Sequence, residues 1–273
     1  MLFVVATPIG NLADLSPRAL DTLRSAAIIA AEDTRHTRAL LTHFGVHGKH
    51  LVALHAHSSP DTIDNLIERL RDGASIALVT DAGTPTVSDP GQALISRART
   101  LGIRVIPLPG PSALLAALAA SGLGDGRFRF FGFLPREGAA RRTALGDIAG
   151  TPETVVLFEA ANRLAGTLRE LADASPSRPA CIARELTKLH EELLHGSLLD
   201  LAALDREWLG EVVVVLGPHV PEERLEAIDD NALDARIDGE PSVHVRTLAD
   251  RLAAWSGRPK RDVYERIVGR RKR

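Results

Sequence analysis

Residues 75–91 read Ser-Ile-Ala-Leu-Val-Thr-Asp-Ala-Gly-Thr-Pro-Thr-Val-Ser-Asp-Pro-Gly, and the two halves of this stretch ask for different structure. Ser75 to Thr80 is an uncharged apolar run, the composition of a strand buried on both faces. From Asp81 to Gly91 the chain changes to small residues, two prolines and two carboxylates, which predicts a rigid loop at the carboxyl end of that strand. Open α/β sheets place their ligands at the carboxyl ends of strands, so the loop is a candidate binding element. The plainer reading is a long turn, with Asp89 and Pro90 as the N-cap and first turn of the next helix.

Outward from this stretch the same alternation repeats. Leu2 to Ala6, Ile28 to Ala31, Leu51 to Leu54 and Ile103 to Pro107 are strand-like. Ser16 and Pro17 supply an N-cap and a first-turn proline for a helix ending near Ala27. Helical patterns over Thr34 to Phe44, Pro60 to Arg71, Gly91 to Leu101 and Ser112 to Ala120 fill the other intervals. Such alternation predicts strand-helix-strand units and mainly parallel sheets. Gly122, Gly124 and Gly126 cluster around Asp125, placing a junction between Gly110 and Gly126. A second α/β unit then follows, with strands over Phe128 to Phe133, Thr154 to Phe158, Ala180 to Ala183, Glu191 to Leu194 and Val212 to Leu216. After Pro218 the composition turns acidic and broken, and two short helices, Val245 to Trp255 and Arg261 to Ile267, form a small C-terminal module. The predicted organisation is 1–112, 113–220 and 221–273.

Length and composition agree with that division. The chain has 273 residues, too many for one typical core. Its 45% hydrophobic and 25% charged residues are ordinary for a globular protein and exclude a mostly disordered one. A net charge of −2 means that any polyanion-binding face is local. Cys181 is the single cysteine, so an intramolecular disulfide and a cysteine-type zinc site are excluded and a reduced, cytoplasmic setting is expected. The N-terminal run MLFVVATPIGN is one strand long and has no basic leader, unlike a signal peptide. No apolar run approaches the roughly 20 residues of a membrane span.

Two more loops carry the same chemistry as the first. Thr7-Pro8-Ile9-Gly10-Asn11 follows the first strand, and it is not a GxGxxG dinucleotide fingerprint. Pro107-Leu108-Pro109-Gly110-Pro111-Ser112-Ala113 follows another strand and leads into a helix, where Ser112 either caps that helix or donates to a ligand. Taken together, the three loops predict a shared pocket.

These stretches, with Ala31-Glu32-Asp33-Thr34-Arg35-His36-Thr37-Arg38 and Ala183-Arg184-Glu185-Leu186-Thr187-Lys188, resemble the ribosomal RNA small-subunit methyltransferase I family of the tetrapyrrole-methylase superfamily. The resemblance runs through nearly the whole chain, from VATPIGNL through VTDAGTPTVSDPG, PGPSALLAALAASGL and FGFLPR to GEVVVVLG, in the family's order. It implies an α/β fold of two tetrapyrrole-methylase-type domains with a ligand cleft between them, the C-terminal helical module being additional. It also implies S-adenosylmethionine as cofactor, a homodimer, and 2′-O-methylation of a cytidine ribose in small-subunit (16S) ribosomal RNA, met free or in the assembled subunit. The matched positions assign cofactor contacts to Pro8, Ile9, Gly10, Asp81, Gly83, Thr84, Val87, Ser112 and Ala113, with Glu159 from the second domain. Two stretches depart from the family. Its Tyr-Glu-Ser-Pro-His-Arg is Phe158-Glu159-Ala160-Ala161-Asn162-Arg163 here, and its Tyr-His-Glu-His-Asn is Leu54-His55-Ala56-His57-Ser58. Roles of the lost histidine and lost carboxylate do not carry over.

A ribose hydroxyl is a poor nucleophile while protonated, so a carboxylate or imidazole must take its proton as the bond to carbon forms. Glu32, Asp33, His55 and His57 follow predicted strands and are the candidates. Asp33 as a helix cap and the histidines as solvated loop residues are the competing readings. Arg35, Arg38, Arg136, Arg141, Arg142 and Lys188 are candidate RNA contacts, since cations neutralise phosphates. The phenylalanines of residues 128–133 read as strand core. Arg258 to Arg273 holds eight basic residues against Asp262 and Glu265, either a positive helix face or a solvated tail. The ten histidines are dispersed and no metal cluster is read. Two alternatives to RNA methylation stand: a small-molecule tetrapyrrole methylase, because a fold does not fix its substrate, and a non-catalytic ribosome-binding module, suggested by the altered stretch at 158–163.

Overall fold

The computed structural model describes residues 1–55, 58–124, 126–219, 230–241, 243–256 and 258–271. β1 (Leu2–Val5), β2 (Ile28–Ala31), β3 (His50–Ala53), β4 (Ile76–Val79) and β5 (Val105–Leu108) form one sheet in the order β3-β2-β4-β1-β5. All its pairings are parallel. β2 and β4 are buried at every position, as a parallel sheet covered on both faces requires. α1 (Pro17–Ser25) and α2 (Thr34–His43) cover one face, with Leu23 and Leu41 against Val5, Ile29 and Val79. α3 (Pro60–Arg71) and α4 (Gln92–Thr100) cover the other, with Leu66, Leu70 and Leu94 against Leu2, Ile76 and Leu78. Ser16 caps α1 as expected, accepting from the Ala19 N–H at 3.2 Å.

Because the strands are parallel, the loops after β1, β2, β4 and β5 all leave from one end of the sheet. β1 and β4 are neighbours although far apart in sequence, and their loops are tied where the strands stop. Thr7 and Gly83 exchange backbone hydrogen bonds of 2.9 and 3.0 Å. This is the crevice in which open α/β sheets hold ligands.

After α5 (Ala113–Ser121) come β6 (Phe128–Phe133), α6 (Gly138–Ala149), β7 (Thr154–Ala160), α7 (Ala161–Ala174), β8 (Pro179–Arg184), β9 (Glu192–Ser197), α8 (Leu198–Ala202) and β10 (Glu211–Leu216). The second sheet has the order β6-β7-β10-β8-β9. Here the expectation of mainly parallel pairing is corrected: β6 and β7 run parallel, and the remaining pairs are antiparallel. The connection between β8 and β9, residues 185–191, is shorter than the dozen or so residues a parallel crossover needs. On one face Leu164, Leu168 and Leu171 of α7 pack on Val155, Leu157 and Val214. On the other, Leu114 and Ala117 of α5 pack with Ile9 and Leu186 against Val213 and Val215.

Both sheets belong to one compact unit, Met1–Ile148 with Glu153–Pro218. Residue 112, where the sequence suggests a boundary, is the N-cap of α5. A second unit comprises Ala149–Pro152 and His219–Arg273. Its described helices are α9 (Asp230–Asp238), α10 (Val245–Ser256) and α11 (Lys260–Arg271), packed through Leu233, Ile237, Leu248, Leu252, Val263 and Ile267. α9 was not expected from the sequence, and it corrects the reading of the basic terminus. Its Asp230, Asp234 and Asp238, one helical turn apart, pair with Arg258, Arg266 and Arg270 at 2.6 to 2.8 Å. Those arginines are neutralised within the module and do not form a free positive face.

Arginine hydrogen bonds hold all three aspartates below their ordinary range. A depressed acid binds fewer protons folded than unfolded, so its stabilising contribution is present above the unfolded value of about 3.9 and fades as pH falls below it. Hydrogen-exchange protection factors in α9 to α11 are expected to hold from pH 8 to 5 and to decline toward pH 3. Equal protection at pH 6 and 3 would contradict the ladder. Among the described residues no helix is long and apolar enough to cross a membrane.

Candidate active site

A cavity of about 360 Å³ lies where the loops of the first sheet meet the second. Ile9 after β1, Glu32 after β2, residues 81–84 and 87–89 after β4, and Ser112 and Ala113 after β5 form one wall. Phe133, Phe158, Glu159, Leu186 and Val213 face them from the second sheet.

The loops hold one another by short, specific contacts. Gly83 has φ +86°, a left-handed conformation costly for any residue with a Cβ, and that conformation permits its exchange with Thr7. The Thr84 hydroxyl donates to the Pro111 carbonyl at 3.1 Å, joining the loops after β4 and β5. Gly110 lies so close to the end of β1 that a Cβ there would be 2.9 Å from that of Ala6. Ser112 caps α5, accepting from the Leu115 N–H at 3.4 Å, and lines the cavity too. Thr86 and Ser88 have φ of 73° and 70°, and Glu185 and Thr187 have 51° and 66°. Non-glycine residues in that region store strain, which concentrates at functional sites.

One end of the cavity is acidic. Glu32 Oε2 accepts from the Thr80 hydroxyl at 2.6 Å and from the Asp81 N–H at 3.3 Å. Asp81 accepts from the Asp33 N–H at 3.0 Å and lies 3.1 Å from His36 Nδ1. Burial, incompletely offset by the Thr80 hydroxyl and reinforced by the charges of Glu32 and Asp81, pushes Asp89 up to about 6.

The cavity thus brings together Glu32, Ile9, Asp81, Gly83, Thr84, Val87, Ser112, Ala113 and Glu159 from the sequence candidates. Pro8 is buried beneath the loop, and Gly10 rests against the stem of Lys188; neither lines the cavity. Asp33 is corrected as a proton acceptor. It caps α2 through the Arg35 N–H at 2.7 Å and grips the Arg35 guanidinium at 2.6 Å, and these bonds hold its carboxyl well below the usual range. His55 is exposed after β3 and does not line the cavity, while His57 lies outside the described residues.

Among the candidate RNA contacts, Arg38, Arg136 and Arg142 are exposed, as is Arg35 on its aspartate. Arg141 is corrected: it is 9% exposed, bonded to Thr167, the Pro135 carbonyl and Glu170, because α6 turns it inward onto α7. Lys188 is half-buried and neutralised by Glu185 and Glu211 at 2.8 and 3.1 Å. Sequence reasoning missed Asp89 as a cavity residue. The left-handed Gly91 is the N-cap of α4, which leaves Asp89 to face the cavity. It also missed Phe133, which is 60% exposed at the cavity wall although it sits in a run that reads as strand core.

The family profile described as Tetrapyrrole (Corrin/Porphyrin) Methylases matches residues 1–202. A protein named ribosomal RNA small subunit methyltransferase I from Xylella fastidiosa (strain Temecula1 / ATCC 700964) is 44% identical over 268 residues, 96% of this chain and 97% of that protein. One of the same name from Pseudomonas aeruginosa is 45% identical over 237 residues, 85% of this chain and 84% of that protein. Among solved structures, diphthine synthase aligns with a TM-score of 0.61 at 20% identity, covering 80% of this chain and 91% of that one. Uroporphyrin-III C-methyl transferase from Thermus thermophilus, solved in complex with S-adenyl homocysteine, aligns with a TM-score of 0.54 at 20% identity, covering 79% and 96%. The structural likenesses speak to the fold, and the sequence matches decide the lineage: this chain belongs to the tetrapyrrole methylase family, alongside the relatives named ribosomal RNA small subunit methyltransferase I.

Proposed function

We propose that this chain transfers the methyl group of S-adenosylmethionine to the 2′-oxygen of a cytidine ribose in small-subunit ribosomal RNA, acting in the cytoplasm as a homodimer. The observation that carries the reading is identity of 44% across 96% of the chain with a protein named for ribosomal RNA methylation, in a fold whose strand-end loops line one cavity. The cavity suits the cofactor in size, falling within the roughly 300 to 1,000 Å³ of small-molecule sites. It suits it in chemistry too, with apolar walls at Ile9, Val87 and Phe158 and an acidic end matched to a cation. Ile9, Asp81, Gly83, Thr84, Val87, Ser112 and Ala113 would hold it, with Pro8 and Gly10 shaping the first loop and Glu159 closing the far side. When bound, S-adenosylmethionine supplies an electrophilic methyl carbon on a positively charged sulfur.

The chain's own contribution is then positioning and exclusion of water, which supply much of the rate of an in-line transfer. Exposed Arg38, Arg136 and Arg142 would neutralise phosphates of the RNA, the local charge that a chain of net −2 requires, whereas Arg35 is already paired with Asp33. Incubation with methyl-labelled cofactor and small subunits from cells lacking the enzyme is expected to yield 2′-O-methylcytidine on nucleoside mass spectrometry. No label from protein that binds the cofactor would refute RNA methylation, and label on a base would refute the ribose assignment.

A further inference from the structure

We infer that Phe133 is the platform on which the base of the target nucleotide stacks, holding that nucleotide out of its strand while its ribose meets the methyl donor. The inference rests on the proposed methyl transfer to a ribose and names the side chain that receives the substrate. Its basis is a one-residue irregularity in β6 that takes an aromatic ring out of the core and turns it into the cavity.

Successive residues of a strand point to opposite faces of the sheet. Phe130 packs with Phe158, Leu114 and Val213 on the face toward α5, and Phe131 packs with Leu157 and Leu164 on the face toward α7. Strict alternation would give Gly132 to the α5 face and return Phe133 to the α7 face beside Phe131. The register departs from it: Phe130 is opposite Val156 and Phe133 is opposite Phe158, so three steps along β6 match two along β7. The extra residue is taken up at Gly132, whose φ of +62° is left-handed and whose Cβ, if it had one, would lie 3.3 Å from Ser88 Oγ on the loop after β4. A bulge of this kind re-aims the side chain that follows it. Phe133 thereby joins the face of Phe158, with ring centroids 5.5 Å apart and planes inclined by 59°, and lines the cavity. It is still 60% exposed. An aromatic ring left this open beside a ligand cavity is a surface for another flat ring.

The adenine of the cofactor and the base of the substrate are the two flat rings the reaction brings. Ile9, Leu186 and Val213 are the buried apolar part of the wall and are the part fit to enclose a cofactor. Phe133 is the open part, where a ligand that extends out of the cavity meets the wall. The chain beyond it supplies the rest of a nucleotide site. Arg163 fixes the Leu134 carbonyl at 2.8 Å, and Arg136, three residues after Phe133, is exposed. Three residues keep the two Cα atoms within about 11 Å, so a base on the ring and a phosphate at the guanidinium belong to one short piece of strand. Proteins read RNA largely through unpaired bases laid on aromatic side chains. The base hangs on the ribose carbon next to the one that bears the reacting hydroxyl, so fixing its plane also positions that oxygen.

Substitutions that separate a flat ring from mere apolar bulk test this, with methyl transfer to small subunits from cells lacking the enzyme as the assay. Phe133→Leu keeps an apolar side chain against Phe158 and leaves the hold of Arg163 on Leu134 in place, but it removes the ring. It is expected to lower kcat/KM for the subunits about 10-fold, the worth of one base stack. Phe133→Tyr and Phe133→Trp restore a ring and are expected to recover most of that loss. All three are expected to bind S-adenosylhomocysteine with wild-type affinity by calorimetry, which also shows that the cavity is formed. Undiminished transfer by Phe133→Leu overturns the inference. So does a Phe133→Trp protein as slow as Phe133→Leu, because a residue that only packs is harmed by excess volume as well as by lost contact. Weaker S-adenosylhomocysteine binding in step with slower transfer gives the ring to the cofactor's adenine and overturns it too. If the wild-type protein puts no methyl on RNA, the proposed function fails instead, a result distinct from these.

Discussion

Arg178→Ala is expected to destabilise the protein by about 3–5 kcal/mol, a large share of a typical domain's stability. Arg178 is 1% exposed just before β8, and among the described residues no carboxylate pairs with it. Its guanidinium donates instead to three backbone carbonyls: Gly217 at 2.8 Å, Ile148 at 2.9 Å and Glu153 at 2.8 Å. One side chain thus ties the end of α6, the approach to β7 and the exit from β10. Burial pulls it down to about 10, which leaves it charged at neutral pH. Alanine would strand the three carbonyls at about 1–3 kcal/mol each, a sum reduced by whatever water enters the space. Lysine has one nitrogen and no fork, so Arg178→Lys should recover only part of the loss. Trp208 is buried in the same core, and its emission during urea unfolding reads the effect. A change below about 1 kcal/mol would mean that the three hydrogen bonds are replaceable.

Arg178 also marks where the sequence ceases to be legible. An arginine beside a proline gives no sign that its partners are carbonyls 25 to 39 residues away. The parallel sheet was legible because each strand is an uncharged run closed by a turn, and Ile28–Ala31 and Ile76–Val79 are buried throughout. The antiparallel pairs were not, because strand direction depends on connection length and on β10 entering between β7 and β8, not on strand composition. α9 escaped notice because its aspartates have meaning only beside arginines some 30 residues later. At the site, loops read through glycines, prolines and small residues line one cavity. Individual charges were not legible: Asp33, Arg141 and Lys188 are committed to intramolecular partners, and Asp89 is freed by the conformation of Gly91. Which donor reaches which carboxylate is a tertiary property.

Glu159→Ala is expected to be comparably costly and to reach the cavity as well. Glu159 is 1% exposed on β7. Its Oε1 accepts from the Ala160 N–H at 2.9 Å and lies 3.2 Å from Arg163 Nε, and its Oε2 accepts from the Thr167 hydroxyl at 2.6 Å and from Arg163 Nη2 at 3.3 Å. Arg163 in turn donates to the Leu134 carbonyl at 2.8 Å, fixing the chain just beyond Phe133 at the cavity wall. Removing the carboxylate leaves a guanidinium short of its counter-charge and a buried hydroxyl without its acceptor, at about 3–5 kcal/mol. Glu159→Gln keeps an acceptor oxygen and should cost less, about 1–3 kcal/mol. In the stretch that departs from the family, Phe158 to Arg163, the glutamate and arginine four residues apart are both retained while the residues between them differ. If the pair is what the stretch preserves, Arg163→Ala should add little once Glu159 is gone, a coupling of about 0.5–3 kcal/mol in a double-mutant cycle. The folded Glu159→Ala protein should also bind S-adenosylhomocysteine more weakly by calorimetry, because the wall carrying Phe133 loses its anchor. Additive losses for the two substitutions, or unaltered ligand binding, would detach this network from the site and leave the change at residues 160–162 without a structural account.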